Sequence, residues 1–261
     1  MNGDLIELAR RGRVASLTLA RPPVNAIDDE MIAAFHRRLD QLEHDRDWQV
    51  LHLRSNQKVF AAGADLSLIR AWKDAPSPAA ALSAYVDRLQ GLYRRIESLP
   101  QVTLAEIQGA AMGGGYELAL SCDLRIAAEE AKIGLPEVGI GLLPGAGGTQ
   151  RLTRLCGRGV AARVILGCEP LDGRSAAALG MVEFAVPQAE LAREAQALAE
   201  RMAALPAHAQ RAAKQCIGAA DSSALHGFLL ERELGSALLE SPRTQELITA
   251  FLERNANKSR R

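Results

Sequence analysis

Three consecutive glycines directly before a predicted helix constrain the local fold more than any other stretch of the chain. Gly113, Gly114 and Gly115 precede residues 116–122, which we interpret as a short helix. Glycine has no Cβ, so backbone N–H groups can approach a ligand closely. A helix N-terminus adds unsatisfied N–H donors and a partial positive charge. The turn therefore suits a developing oxyanion, although close packing of a helix on a strand would also explain the glycines.

Two glutamates lie in the same region of the sequence. Glu117 falls in the first turn of the predicted helix, and Glu137 follows Pro136 and precedes another glycine-rich run. Carboxyl groups paired in one site can accept and deliver protons. Each glutamate also has a simpler interpretation. A glutamate in a first turn often only complements the helix dipole, and a Pro-Glu turn is usually a solvated loop.

A second turn of small residues follows the predicted strand 50–54. Ala61, Ala62, Gly63 and Ala64 would let backbone N–H groups face a ligand, although an ordinary tight turn needs the same residues. Asp65 is placed to cap a following helix.

Composition narrows the classes of function. The chain has 261 residues, enough for one large domain or two small ones. Lys+Arg and Asp+Glu balance at 31 each, so no net charge favours nucleic acid or an anionic membrane as a partner. The N-terminus shows no apolar signal region, and no apolar run approaches the length of a membrane span. We expect neither nucleic acid nor membrane as a partner.

Cysteine and histidine usage predicts no metal site. The four cysteines are widely spaced without a CxxC pair, and the five histidines show no ligand spacing. This usage favours a reduced, cytoplasmic setting.

Hydrophobic periodicity predicts alternating strands and helices followed by a helical remainder. The predicted strands are 13–20, 50–54, 101–107, 123–127 and 181–186. The predicted helices are 28–45, 81–98 and 116–122, one opening at Pro144, one capped by Asp172 and ended by Gly180, and a helical series from Gln188 with breaks near Pro206, Asp221 and Pro242. The first of these helices should bury Met31, Ile32, Phe35, Leu39 and Leu42. We place the mixed body at residues 1–195 and the helical region at 196–261.

Three motifs in order resemble the crotonase superfamily, specifically the enoyl-CoA hydratases. They are FAAGADL (60–66), IQGAAMGGGYELALSCD (107–123) and IGLPEVGIGLLPGAGGTQRL (133–152). The resemblance covers nearly the whole chain. It implies an α/β fold in which repeated ββα turns wind into a superhelix. It also implies that the C-terminal helical region mediates trimerisation, and that two trimers can stack into a hexamer.

The resemblance implies roles for individual residues. The backbone N–H groups of Ala64 and Gly114 would form the oxyanion hole for the thioester carbonyl of an acyl-CoA. Glu117 would activate a water that adds to C3 of a 2-enoyl thioester, and Glu137 would protonate C2. Gly145 resembles a glycine that helps to orient the second glutamate. No metal or redox cofactor is implied, and coenzyme A enters as part of the substrate.

Further substrate contacts are implied around the same motifs. They are Ala62, Asp65, Leu66, Ser67 and Gly113. Five larger side chains could line the pocket or simply pack beside it: Leu66, Trp72, Met112, Tyr116 and Leu142. Two positions depart from relatives near coenzyme A. Ser67 replaces a lysine of several hydratases, and Arg254 stands loosely where a neighbouring subunit's lysine would reach. The segment 21–26 is also one residue shorter than in many relatives.

Three other functions compete with hydration of a 2-enoyl-CoA, a reaction of fatty acid β-oxidation. An enoyl-CoA isomerase or another crotonase-type reaction such as decarboxylation would use the same fold, and many isomerases need only one carboxylate. A non-catalytic binding protein, including an RNA-binding one, would not need both Glu117 and Glu137. A glycoside hydrolase with two carboxylates would need aromatic platforms, and the aromatic content is only 4%.

Overall fold

The structure is a computed structural model that describes residues 4–45, 47–65, 67–68, 71, 74–220, 233, 237, 241–244 and 246. The chain divides into two compact units, Met1–Ala204 and Leu205–Arg261. The predicted division after residue 195 falls inside the helix Gln188–Ala203. The oligomerisation role expected for residues 196–261 stays a prediction.

Two sheets form the strand layers of the first unit. The large sheet contains β1 (Ile6–Arg11), β2 (Val14–Leu19), β3 (Val50–Ser55), β4 (Val102–Ile107), β6 (Leu124–Ala128) and β9 (Phe184–Val186), in that spatial order. The small sheet contains β5 (Ala111–Met112), β7 (Lys132–Gly134) and β8 (Leu171–Asp172). Only β1 pairs antiparallel in the large sheet. Its parallel strands are mostly buried on both faces, as parallel sheets require.

Within the described residues, the helices alternate with strands along the chain up to β9. They are α1 (Asp29–His44), α2 (Pro78–Glu97), α3 (Gly114–Leu120), α4 (Gly148–Leu166), α5 (Gly173–Ala178), α6 (Gln188–Ala203) and α7 (Ala207–Ala219), with a 3-10 helix at Glu137–Ile140.

Helix α1 shows why the sequence specifies this local structure. The side chain of Asp28 caps it by accepting a 2.9 Å hydrogen bond from the N–H of Met31. All five residues predicted for its inner face are buried. The predicted cap at Asp172 is also confirmed, because its carboxylate accepts the N–H of Ser175 at 2.7 Å.

The predicted ββα repeat is visible in the order of the elements. The chain runs from β4 in the large sheet to β5 in the small sheet and then into α3. It repeats the course from β6 to β7, the 3-10 helix and α4. Because β5 and β7 are parallel neighbours, with Met112 opposite Gly134, the segments that follow them lie side by side. This pairing brings the glycine triplet to the turn that carries Glu137.

Several elements differ from their predicted bounds, and one strand was missed; the predicted helices 81–98 and 116–122, for example, are Pro78–Glu97 and Gly114–Leu120. Strand β1 was not predicted, because it is a largely exposed edge strand whose apolar pattern is weak. The predicted strand 181–186 begins only at Phe184, because Met181 and Val182 are buried within a turn instead. The helix expected to open at Pro144 begins at Gly148, since residues 144–147 form a loop.

Candidate active site

A cavity of about 490 Å³ lies between helix α2, the 3-10 helix and two turns of small residues. These two turns, at residues 61–64 and 113–115, are called the glycine turns below. Its described lining is mostly apolar, which is usual for a small-molecule site. The lining residues are Ala62, Gly63, Ala64, Leu82, Tyr85, Val86, Leu89, Met112, Gly113, Gly114, Glu117, Pro136, Glu137, Gly139, Ile140, Leu142, Leu143, Gly145, Ala146 and Cys168.

The two glycine turns are in direct contact. Gly63 adopts a φ of +93°, which disfavours residues with a side chain. A Cβ at this position would lie 2.9 Å from the carbonyl oxygen of Met112 and 3.3 Å from the nitrogen of Gly114. Glycine at position 63 therefore allows the turn at 62–64 to reach the N-terminus of α3.

Two backbone N–H groups at this contact have no hydrogen-bond acceptor within the described part of the chain. The bridge between Ile27 and Ala64 uses the N–H of Ile27 and the N–H of Asp65, and leaves the N–H of Ala64 unused. Gly114 begins α3, where an N–H group has no intrahelical acceptor. Its carbonyl oxygen accepts the hydroxyl of Tyr93 at 2.6 Å. These two donors border a cavity in which a polarised carbonyl oxygen could bind.

Glu117 is a buried carboxylate on α3 with only 2% of its surface exposed. Its pKa is raised to about 7, chiefly by burial and additionally by the nearby charge of Glu137. The raised pKa is opposed by hydrogen bonds from the backbone of Gly148, at 2.7 Å, and of Ala146, and by the charge of Arg151. A carboxyl group that titrates near neutral pH can act as an acid or a base.

Glu137 reaches the same cavity from the 3-10 helix. Burial raises its pKa as well. Its Oε2 atom is buried and has no hydrogen-bond partner among the described residues. Its Oε1 atom lies against Gly113, where a Cβ would come within 2.7 Å. An unsatisfied buried carboxylate oxygen in a largely apolar cavity is free to bind a ligand.

The loop at residues 144–147, which leads into Gly148, positions Glu117 and is held by hydrogen bonds from two side chains. Gln90 of α2 donates a 2.6 Å hydrogen bond to the carbonyl of Gly145. Arg151 donates to the carbonyl of Ala146 at 2.9 Å and forms a bidentate ion pair with Glu97, at 3.1 and 2.8 Å. Sequence reasoning missed Gln90 and Arg151, because nothing in their local pattern indicates a tertiary contact.

Most of the predicted site residues come together. Those that line the cavity are Ala62, Ala64, Gly113, Gly114, Glu117, Glu137 and Gly145. Asp65 and Ser67 do not line it. The carboxylate of Asp65 accepts the N–H of Ser67 at 2.8 Å and its hydroxyl at 2.6 Å, and these bonds lower the pKa of Asp65. A role for these two residues in binding coenzyme A stays a prediction.

The larger side chains proposed for the pocket divide into two groups. Met112 and Leu142 line the cavity. Tyr116 is buried and donates its hydroxyl to the carbonyl of Met181 at 2.8 Å, so it packs in the core. Leu66, Trp72 and Arg254 lie outside the described residues.

Helix α2 supplies cavity residues that sequence reasoning did not identify. They are Leu82, Tyr85, Val86 and Leu89. Their helical spacing matches that of any face packed on a core, and so the sequence alone could not assign them to a cavity.

Within the described residues, no three His, Cys, Asp or Glu side chains come together in a group that could hold a metal ion. No described helix is both long enough and apolar enough to cross a membrane.

Comparison with known proteins gives one consistent family. The model of the enoyl-CoA hydratase/isomerase family matches residues 9–259. A probable enoyl-CoA hydratase from Bacillus subtilis (strain 168) is 37% identical over 253 residues, or 96% of each chain. A 2,3-dehydroadipyl-CoA hydratase from Escherichia coli (strain K12) is 36% identical over 249 residues, or 95% of each chain. The crystal structure of an enoyl-CoA hydratase from Bacillus anthracis superposes with a TM-score of 0.88 at 32% identity, covering 96% of both chains.

Proposed function

This chain belongs to the enoyl-CoA hydratase/isomerase family, and we propose that it adds water across the 2,3 double bond of 2-enoyl-CoA thioesters to give 3-hydroxyacyl-CoA. One observation carries the proposal. Glu117 and Glu137 line the same cavity, beside the unused backbone N–H groups of Ala64 and Gly114. Hydration needs one group to take a proton from water and another to give a proton to carbon.

The two amides supply the electrostatic part of the mechanism. The thioester carbonyl oxygen accepts the N–H groups of Ala64 and Gly114. Negative charge grows on that oxygen as water attacks C3, and the donors stabilise the resulting enolate-like species. Removing one such donor typically costs roughly 3 kcal/mol. The mostly apolar lining strengthens these hydrogen bonds because it excludes bulk water.

The two carboxyl groups supply the proton transfers. Glu117 takes a proton from the attacking water, and Glu137 delivers one to C2; the roles swap in the reverse reaction. The pair must therefore hold one proton. Deep burial favours that proton on Glu117 in the free protein, and a water between the carboxyl groups carries it to Glu137 before addition. The reaction involves no net oxidation, so its balance requires no redox cofactor, and coenzyme A takes part only as the carrier of the substrate.

A spectrophotometric assay tests the proposal. Hydration of crotonyl-CoA removes the absorbance of the conjugated enoyl thioester. We expect the wild type to be active, and the variants Glu117→Gln and Glu137→Gln to lose about 10²- to 10⁴-fold in kcat. Glu30→Gln is the matched control, because Glu30 is exposed and lies on α1, away from the cavity lining. Full activity in both cavity variants would refute the two-carboxylate mechanism.

An enoyl-CoA isomerase is the second candidate, because the family that matches this chain includes isomerases. Isomerisation moves one proton between C2 and C4 and can proceed with a single carboxylate. A protein that is inert on 2-enoyl-CoAs but converts a 3-enoyl-CoA would be an isomerase. A protein that binds CoA esters without converting any would be a binding protein instead.

Assembly into a homotrimer, or into a hexamer of two trimers, is part of the proposal, as are a place in fatty acid β-oxidation and a cytoplasmic location. Sedimentation velocity of the full chain tests this assembly. We expect a mass of three or six copies, and a monomer would contradict the proposal.

A further inference from the structure

We propose that the acyl site selects medium-chain 2-enoyl groups of about eight to ten carbons, whose tails lie along helix α2 and end at Leu82. The inference rests on the proposed function, and it assigns a chain length and a distal specificity residue. Leu89, Val86 and Leu82 form a row of apolar side chains on α2, each about one turn from the next.

The row begins beside the proposed carbonyl site. A Cβ on Gly114 would lie 3.6 Å from Cδ2 of Leu89, so this leucine adjoins the N–H group that would bind the thioester. Val86 comes one turn earlier in α2 and lies beside Gly145, where a Cβ would be 3.2 Å from it. Leu82 comes one further turn earlier and lines the same cavity. The cavity therefore extends from Gly114 toward the N-terminus of α2.

The length of this row sets the length of the acyl tail that can lie along it. Leu82 and Leu89 are seven residues apart, which is about 10 Å along a helix that rises 1.5 Å per residue. A fully extended polypeptide advances about 3.6 Å over the three bonds of one residue, or roughly 1.2 Å per bond. An extended acyl chain of about eight bonds beyond the thioester carbon would therefore reach Leu82.

Other residues of the cavity lining are also apolar. Ile140 and Leu143 line it and are each 64% exposed, so apolar surface there is open to a ligand. Two polar groups of the lining are already used. The hydroxyl of Tyr85 donates to the carbonyl of Ile27 at 2.9 Å, and the thiol of Cys168 donates to the carbonyl of Pro136 at 3.5 Å. These contacts favour a hydrocarbon tail over a polar one.

A chain-length series tests the inference in the wild-type protein. The substrates are the trans-2-enoyl-CoAs with four, six, eight, ten and twelve carbons, assayed well below saturation. Burial of one methylene is worth about fourfold in kcat/KM. We expect kcat/KM to rise with each step from four to eight carbons, and to level once the tail passes Leu82.

Variants of Leu82 locate the selectivity. Leu82→Asn places a polar group at the end of the row, and Leu82→Trp shortens the space. Both should lower kcat/KM for the ten-carbon substrate by about fifteenfold relative to kcat/KM for the four-carbon substrate, the effect of two methylenes. Ser83→Ala is the matched control, because Ser83 is the exposed neighbour of Leu82 and does not line the cavity.

The outcomes separate this inference from the proposed function. Hydration of crotonyl-CoA with a kcat/KM that stays flat or falls with chain length would overturn the inference and leave the function standing. Equal losses on four and ten carbons in both Leu82 variants would also overturn it. If no 2-enoyl-CoA of any length is hydrated, the proposed function fails and the inference fails with it.

Discussion

The backbone N–H of Gly148 donates a 2.7 Å hydrogen bond to Oε1 of Glu117, and so joins the N-terminus of α4 to a carboxylate buried on α3. Gly148 is the first residue of α4, where N–H groups lack intrahelical acceptors and the helix dipole favours negative charge. The contact therefore stabilises the ionised form of Glu117 against the burial that raises its pKa.

Substitution of Gly148 should disrupt this contact. A Cβ at position 148 would lie 2.9 Å from Oε1 of Glu117 and 2.9 Å from Cβ of Pro144, so Gly148→Ala must displace one of them. We expect hydration to fall about 10²-fold, the effect of a displacement of roughly 1 Å in a reacting group. Gly159→Ala on the same helix is the control, because its added Cβ would have no neighbour within 4 Å apart from the adjoining backbone of its own helix. Equal activity of the two variants would contradict the role given to Gly148.

The N–H group of Gly114 can be removed by substitution with proline. Proline is tolerated at the first position of a helix, where its missing N–H is not needed, and Gly114 occupies that position in α3. Gly114→Pro should lower kcat by about 10²- to 10³-fold, as expected for the loss of one oxyanion donor. Gly114→Ala keeps the N–H, and its Cβ would make only ordinary contacts of 3.6 to 3.7 Å. An alanine variant as inactive as the proline variant would show that shape, and not the N–H group, is what matters.

The pH dependence of kcat/KM should reflect the proton that Glu117 and Glu137 share. The form with one proton on the pair contains both an acceptor and a donor, so kcat/KM for hydration should be bell-shaped. The alkaline limb is expected near pH 7, because burial raises the pKa of Glu117 to about 7 and the acid is lost above it. A rate that stays constant from pH 6 to 9 would exclude this assignment.

Substitution of Arg151 should shift the alkaline limb of the pH profile of kcat/KM. Its charge lowers the pKa of Glu117, so Arg151→Gln should shift the alkaline limb to higher pH as well as lowering the maximum rate. Arg151→Lys keeps the charge and should leave the limb near its wild-type position. A purely structural role for Arg151 would lower the rate in both variants without moving the limb.

Glu117 should also make stability depend on pH. Its pKa is about 7 in the folded protein, against an ordinary value of 4.5. Between these values the folded state holds a proton that the unfolded state has lost, so its contribution to stability is full below pH 4.5 and is lost as pH rises through 7. The change is on the order of 3 kcal/mol. Denaturant unfolding measures the free energy of unfolding at pH 5 and at pH 8. Its fall from pH 5 to pH 8 should be smaller for Glu117→Gln than for the wild type, and an equal fall would contradict the raised pKa.

Local signals in the sequence were sufficient for several elements. Asp28 is followed by apolar residues at helical spacing, and the structure begins α1 after it. The glycine triplet predicted a turn into a helix, and Gly114 begins α3. Each of these features depends on neighbours in the chain, where capping and periodicity act.

Features that depend on distant contacts could not be predicted in the same way. The parallel pairing of β5 with β7 decides that Glu137 lies against Gly113, and no local pattern encodes it. Tyr116 could line a pocket or fill the core, and only its hydrogen bond to Met181 decides for the core. Leu82 belongs to an apolar helix face, and only the tertiary structure shows that this part of the face lines a cavity.

The most direct test of the central claim is the fate of water oxygen. The protein is incubated with crotonyl-CoA in water enriched in ¹⁸O, and the product is analysed by mass spectrometry. We expect one ¹⁸O atom bound at C3 of the product, formed by the wild type at a rate that Glu117→Gln and Glu137→Gln reduce by about 10²-fold or more. Unlabelled substrate recovered unchanged, or a product with a shifted double bond and no ¹⁸O, would contradict the central claim.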